Sequence, residues 1–209
     1  MLDKITNLLK FGKLIYKIKI LKTSNSNVHK DKALKYIQDL IDEEAGIFLK
    51  ITQNYSTNSQ YNFTKQQIET TDVTKILKDE LGSNYQMISN LSPNGICASL
   101  SQVHFANIQN DKQKPSAIVL KIKLPWIEKA IQKQLSSLGL IPGIGPVKKW
   151  GIDLDSYKQS LKETIDRELN YKLEVENILS LNLYKSELET QDIITPNTYP
   201  ELCTNNIIA

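Results

Sequence analysis

A lysine, Lys121, stands inside the apolar strand of Ile118-Val119-Leu120-Lys121-Ile122-Lys123-Leu124-Pro125. An ammonium in such a run costs free energy unless it reaches an anion or water. Upstream, Ser99-Leu100-Ser101-Gln102-Val103-His104 opens a second strand, and the polar segment Gln109–Pro115 makes the two a hairpin. A strand lysine next to a turn of small residues is how a nucleotide-binding lobe holds a phosphate. Lys50 and Gln53 lie three residues apart and share a face if their segment is helical. The remaining reactive side chains carry less. Cys97 and Cys203 form no spaced pattern, which fits a reducing compartment and predicts no structural disulfide. His29 and His104 have no metal-ligand spacing around them, so no zinc site is expected, and His104 reads as a hydrogen-bonded strand residue.

The elements that must position these residues follow from periodicity. Residues 2–22 read as a basic amphipathic helix, and 28–53 as a second helix with Ala33, Ile37, Ile41, Ala45 and Phe48 on one face. Residues 54–70 read as loop, and 72–81 as a helix closed by Gly82. Strands are predicted at 86–89, 102–108 and 117–123, and a helix at 125–137. The Gly/Pro-rich run 140–146 lacks the spacing of a phosphate-binding loop. The longest helix is predicted over 153–189, with Leu181 as its weakest point, and two last strands over 192–199 and 204–209. On that helix Leu154, Tyr157, Leu161, Ile165 and Leu169 form the packing stripe; Glu168 borders it, and Glu174 lies off it, where a glutamate is ordinarily solvated. The predicted fold is α+β: N-terminal helices, then a five-stranded antiparallel sheet with one long helix that supplies a glutamate. That is the plan of a protein-kinase small lobe, in which the strand lysine contacts the nucleotide phosphates and the helix glutamate holds the lysine.

Composition narrows the partners. The 209 residues carry a net charge of +3, but residues 1–22 hold six lysines and one acid, +5, which leaves −2 for the remainder. Arg167 is the one arginine among 26 basic residues, and arginine is the residue suited to bidentate phosphate and base-edge contacts. Nucleic acid is therefore disfavoured as a partner. No apolar run reaches the ~20 residues that span a bilayer. Residues 1–22 have two open readings: a helix lying on an anionic membrane surface, or a helix packed on its own domain with a solvated lysine face.

In collinear order from about Gly46 to Ala209 the chain resembles the UbiB/AarF family of atypical kinase-like proteins. Gly46-Ile47-Phe48-Leu49-Lys50-Ile51-Thr52-Gln53 is similar to the family's KxGQ helix, and Ile96-Cys97-Ala98-Ser99-Leu100-Ser101-Gln102-Val103-His104 to its alanine-rich loop and the strand after it. Val119-Leu120-Lys121-Ile122-Lys123-Leu124-Pro125 resembles its nucleotide-lysine strand. Glu168-Leu169-Asn170-Tyr171-Lys172-Leu173-Glu174-Val175-Glu176-Asn177 resembles its ExD motif and ion-pairing glutamate, and 194–204 the strand pair that leads to the hinge. The resemblance implies an ATP site in which Lys121 contacts phosphates and pairs with Glu174, with Ala98 and Ser99 in the loop over the phosphates. It places Lys50 and Gln53 on a helix folded across that site, facing Glu168 and Asn170. It also implies a role in ubiquinone biosynthesis at membranes, by ATP binding or hydrolysis more than by phosphorylating proteins.

Three positions depart from the family's pattern: Thr52 for the KxGQ glycine, Ser101 for a strand glycine, and Asn170 for the ExD aspartate. No Asp-Phe-Gly occurs in the chain, so the large lobe that would hold magnesium and the catalytic aspartate is expected on another stretch of polypeptide. The expected organisation is a basic helix and linker over 1–27, a helical extension over 28–82, and a small lobe over 83–209 cut near the hinge. Two functions follow: the ATP-binding part of a UbiB-like protein that does not turn over ATP by itself, or a non-catalytic membrane-surface adaptor or pseudokinase remnant. The expected location is cytoplasmic, peripheral to the inner face of the membrane if residues 1–22 engage lipid.

Overall fold

In the computed structural model, residues 2–44, 46–56, 70–98, 100–109, 115–138, 154–187 and 194–209 are described. They form two compact units. One comprises residues 1–66 and 125–164, the other residues 67–124 and 165–209.

The first unit is helical, with α1 (Leu2–Thr23), α2 (Asn27–Glu44), α3 (Gly46–Ser56) and α5 (Ile127–Leu138). The helices bury Phe11, Leu14 and Leu21 from α1; Ala33, Ile37, Leu40 and Ile41 from α2; Ile47, Phe48 and Leu49, on successive faces, from α3; and Ile127 and Ile131 from α5. The Phe11 and Phe48 rings meet at 4.4 Å between centroids, tilted at 41°. Asn7 is buried too and donates to the Ser137 hydroxyl at 3.2 Å, so α1 is seated by its polar as well as its apolar side chains.

The predicted helix 28–53 is two helices. Gly46 has φ +58°, a left-handed conformation that turns the chain between α2 and α3. The corner is held by the buried Gln134 of α5. Its Oε1 accepts from the Ile47 N–H at 2.7 Å, and its Nε2 donates to the Glu44 carbonyl at 3.3 Å. One amide thus satisfies orphan groups at the end of one helix and the start of the next. The residues predicted as loop at 57–69 and 140–146 lie outside the described residues.

The second unit is a five-stranded antiparallel sheet flanked by helices. The strands are β1 (Ile88–Ser89), β2 (Ile96–Ala98), β3 (Ser101–Ile108), β4 (Ser116–Lys123) and β5 (Ile207–Ile208). The order is β1-β3-β4-β5, with β2 also pairing to β3. The helices are α4 (Thr70–Leu81), α6 (Leu154–Leu169), which crosses the division between the units, and α7 (Tyr171–Glu187). One face of the sheet carries the core: Ala106, Ile108, Ile118, Leu120, Ile122 and Ile207 pack with Val73, Leu77 and Leu81 of α4. That packing groups α4 with the sheet. Gly82, with φ +55°, ends the helix. Gln102 and His104 are buried on the core side of β3. Their side-chain nitrogens lie 2.9 Å apart, and His104 Nδ1 sits 3.1 Å from the Ser92 carbonyl. His104 is a hydrogen-bonded structural residue. Gly95 passes so close that a Cβ there would lie 2.4 Å from Gln102 Nε2 and 2.5 Å from His104 Nε2.

Further boundaries differ from the sequence expectation. The predicted strand 86–89 is shortened by a 3-10 turn at Gly82–Met87. Ile96–Ala98, assigned to a loop, is a strand registered on Ser101–Val103. Residues 194–199 join no strand, and a 3-10 turn at Pro200–Leu202 follows; Pro196 and Pro200 have no N–H to give a ladder. The long helix breaks at Asn170, not near Leu181. Asn170 Oδ1 accepts from the Leu173 N–H at 3.1 Å, so it is the N-cap of α7.

Candidate functional site

The second face of the sheet builds the site. Antiparallel register sets Val103 opposite Lys121 and Ser101 opposite Lys123. The two-residue repeat of a strand then turns Lys121 and Lys123 to the same side, away from the apolar core. Asn170 starts α7 over this face, with Tyr171 in its first turn and Glu174 three residues on, on the same side of the helix.

Lys121 Nζ lies 2.7 Å from Glu174 Oε1 and 2.6 Å from Oε2, and so bridges both carboxylate oxygens. The two side chains are 31% and 36% exposed, so the pair is open to solvent on one side. Tyr171 is buried against it. Its ring centroid is 5.0 Å from Lys121 Nζ and 5.3 Å from Lys123 Nζ, within cation–π range of both. The Lys123 side chain is buried at the start of this face. Tyr171 and Ser101 line the same small hollow beside the pair. Ser101 Oγ donates to the Ala98 carbonyl at 3.1 Å, across the turn between β2 and β3. Burial pushes the Tyr171 phenol well above its usual range. The neighbouring Ser101 hydroxyl opposes that, and the Glu174 and Glu168 charges add to it. The phenol therefore remains a donor.

Two hollows meet at Lys121. One of about 130 Å³ is lined by Ala98, Leu100, Ser101, Lys121, Glu168 and Tyr171. The other, about 390 Å³ and mostly apolar, is bounded by Ala117, Val119, Lys121, Ile178, Tyr199 and Ile208. A lysine ammonium at the mouth of two mostly apolar hollows fits a ligand with an anionic group and a flat apolar part, which is the chemistry of a nucleotide. Among the described residues no group of three or more His, Cys, Asp or Glu side chains is placed to hold a metal.

Lys121, Glu174, Ala98 and Glu168 thus come together in the second unit. Asn170 caps α7 and is exposed. Lys50, on α3, is half-buried in the first unit; Gln53 is in the same helix, and its side chain is outside the described set, as is Ser99 altogether. Thr52, at the expected glycine of that helix, is buried and bonds the Phe48 and Leu49 carbonyls at 3.1 and 2.8 Å, within its own helix. Tyr171, Lys123 and the hydroxyl of Ser101 are the residues that sequence reasoning did not assign to the site. The strand period would have indicated Lys123, two residues beyond Lys121.

A five-stranded antiparallel sheet whose strand lysine is bridged to a helix glutamate defines the small lobe of a kinase-like protein. A model of the ABC1 atypical kinase-like domain matches residues 63–209, and the chain belongs to that family. It is 24% identical over 204 residues to the "Probable protein kinase UbiB" of Histophilus somni (strain 129Pt), an alignment that covers 87% of this chain and 36% of the relative. Among solved structures it resembles the protein in "The complex structure of Rv3197-erythromycin from Mycobacterium tuberculosis", with a TM-score of 0.51 and 18% identity, over 100% of this chain and 50% of that one. At that identity the likeness is one of fold. The chain thus spans about a third of the curated relative and half of the solved one.

Proposed function

We propose that these residues form the ATP-phosphate-binding lobe of a UbiB-like atypical kinase or ATPase that serves ubiquinone biosynthesis. The observation that carries this reading is the bridging Lys121–Glu174 pair between β4 and α7, with Lys121 lining both the smaller and the larger hollow. Lys121 holds the phosphate end, and Glu174 fixes the ammonium so that its position does not depend on the ligand. The larger hollow receives the base. The chain has no Asp-Phe-Gly and does not turn over ATP by itself; magnesium and the catalytic groups come from a large lobe, in the same longer protein or on a separate polypeptide. The test is calorimetric titration with millimolar Mg-ATP. Weak binding that is lost in Lys121→Ala is expected, and equal binding by both proteins rejects the phosphate role of Lys121.

A second reading, a membrane-surface adaptor, draws on α1. Opposite its buried stripe, Ile5, Leu9 and Tyr16 are exposed at helical spacing, at 48%, 67% and 60%. Some of the helix's charge is engaged within the unit: Lys10 reaches Glu44 at 2.6 Å, and Lys13 and Lys17 lie 5.1 and 5.9 Å from the Tyr36 ring. Lys19 is exposed and flanks the apolar stripe. No described helix is long and apolar enough to cross a membrane. Because Phe11 and Leu14 are core residues, the informative variant is Leu9→Glu/Tyr16→Glu and not removal of the helix. On this reading the double variant loses salt-sensitive binding to phosphatidylglycerol vesicles; retention of that binding rejects it.

A further inference from the structure

We infer that Glu80, on α4, is a positioning residue for the apolar end of the site: its carboxylate clamps the turn before β5 and so sets the wall that Ile208 and Ala209 give to the larger hollow. This rests on the nucleotide reading of that hollow. One turn takes both carboxylate oxygens. Thr204 Oγ1 donates to Oε2 at 2.9 Å, and Asn206 Nδ2 donates to Oε1 at 2.8 Å. The Thr204 hydroxyl has one hydrogen, committed to Glu80, and it accepts from the Asn206 N–H at 3.0 Å, which closes the turn on itself. The Thr204 N–H donates to the Ile207 carbonyl at 2.8 Å, and the Asn206 carbonyl accepts from the Lys123 N–H at 2.9 Å. The clamped turn therefore leads straight into β5 and is bonded to the end of β4. β5 has only two residues, with Ile208 opposite Lys121 and Ile207 opposite Ile122. So short a strand has few ladder bonds to fix its own position. Cross-strand partners share a face, so Ile208 stands on the site face beside Lys121, while Ile207 joins the core against which α4 packs. A helix on the core face thus reaches round to the strand that walls the hollow. Glu174 orients the ammonium at the anionic end, and Glu80 fixes the strand at the apolar end.

The clamp can be cut, inverted and rebuilt. Glu80→Ala removes the acceptor, and Asn206→Asp sets two carboxylates against each other. Glu80→Gln/Asn206→Asp restores both bonds with donor and acceptor exchanged: the new amide nitrogen donates to the new carboxylate, and the new amide oxygen accepts from Thr204. Affinities for adenosine and for inorganic triphosphate are measured for the wild type, these three proteins and Lys121→Ala, and hydrogen exchange is followed without ligand. Both single variants are expected to weaken adenosine by about three- to tenfold, the range of one lost hydrogen bond, and inorganic triphosphate by less than about twofold. Exchange should rise over residues 203–209 and hold over β3. The double variant should return both readouts to within about twofold of wild type. A double variant no better than Asn206→Asp, or exchange that rises equally over β3, overturns the clamp. Equal losses for adenosine and inorganic triphosphate, or unchanged adenosine affinity while the turn opens, overturn its role at the apolar end. If the wild type binds neither ligand, or Lys121→Ala leaves triphosphate binding intact, the nucleotide reading fails on its own account. Exchange then decides the clamp: protection over 203–209 that is unchanged in both single variants overturns it.

Discussion

The Lys121–Glu174 pair can be tested without any ligand, by a double-mutant cycle on stability. At about 2.7 Å a pair of unit charges attracts by about 1.5 kcal/mol in water and about 6 kcal/mol at the effective dielectric of a protein surface. The side chains are about one-third exposed, so the lower figure weighs more, and ordering a lysine costs up to about 2 kcal/mol. Both carboxylate oxygens are engaged by one ammonium, and the Tyr171 ring screens one side from water, which favours a net of about 1–2 kcal/mol. Glu174→Gln and Lys121→Met should each lower stability by that amount, or about 3–6 °C in Tm for a chain of this size. The double variant should lose no more than either single. Urea unfolding followed by far-UV circular dichroism gives the three differences, and their coupling should shrink by half or more between 0.1 and 1 M salt. Single losses that add to within about 0.5 kcal/mol in the double would refute the argument, since groups that do not interact behave additively.

Three further outcomes follow from local geometry. Gly46→Ala should destabilise by clearly more than Gly82→Ala: both sites have positive φ, costing about 1 kcal/mol each, but only at position 46 would the new Cβ fall 2.5 Å from Gln134 Oε1. Thermal melts of the two variants decide it. Asn170→Ala should cost about 1 kcal/mol through the lost cap of α7 while Asn170→Asp stays within about 0.5 kcal/mol of wild type; equal losses in both would show that the cap is not what position 170 contributes to stability. In an alkaline titration followed by ultraviolet absorbance, one of the nine tyrosines should ionise only well above its ordinary range. Because the Tyr171 pKa is raised in the folded chain, its contribution to stability is complete below the unfolded value of about 10 and is lost as the pH rises through and beyond it. Tyr171→Phe should remove that part of the alkaline destabilisation.

How much of this was legible in the sequence depended on the range of the interaction. The hairpin around Lys121 was, because eight-residue strands of alternating burial carry their own period. Gly82 marked its helix end by local conformation alone. Glu174 was not legible from the residues, since a glutamate off the apolar stripe looks solvated, and only the family resemblance singled it out. β2 has three residues and β5 two, too few to show a period, and they exist through their pairing to β3 and β4. Gly46 was visible as a glycine inside a helical pattern. What turns the chain there is Gln134, which no local reading could connect to it. Asn170 was read against the family's aspartate and so as a lost charge, when its side-chain oxygen does what either residue does at a helix start. Tyr171 showed no signal at all: its role comes from β3, β4 and α7 converging on one ring.

The Gln134 clasp has a consequence for the order in which this chain acquires structure on the ribosome. The two backbone groups it satisfies belong to Glu44 and Ile47, 90 and 87 residues earlier in the sequence. At about 5–20 residues per second, the corner between α2 and α3 exists without its clasp for roughly 4–18 seconds after it emerges. During that interval the Gly46 turn has only its own backbone preference to hold it, and α5, which contributes Ile127 and Ile131 to the same core, has yet to be made. All of the sheet strands up to β4 are made in the meantime, so the helical unit finishes after most of the sheet that is inserted into it has been synthesised.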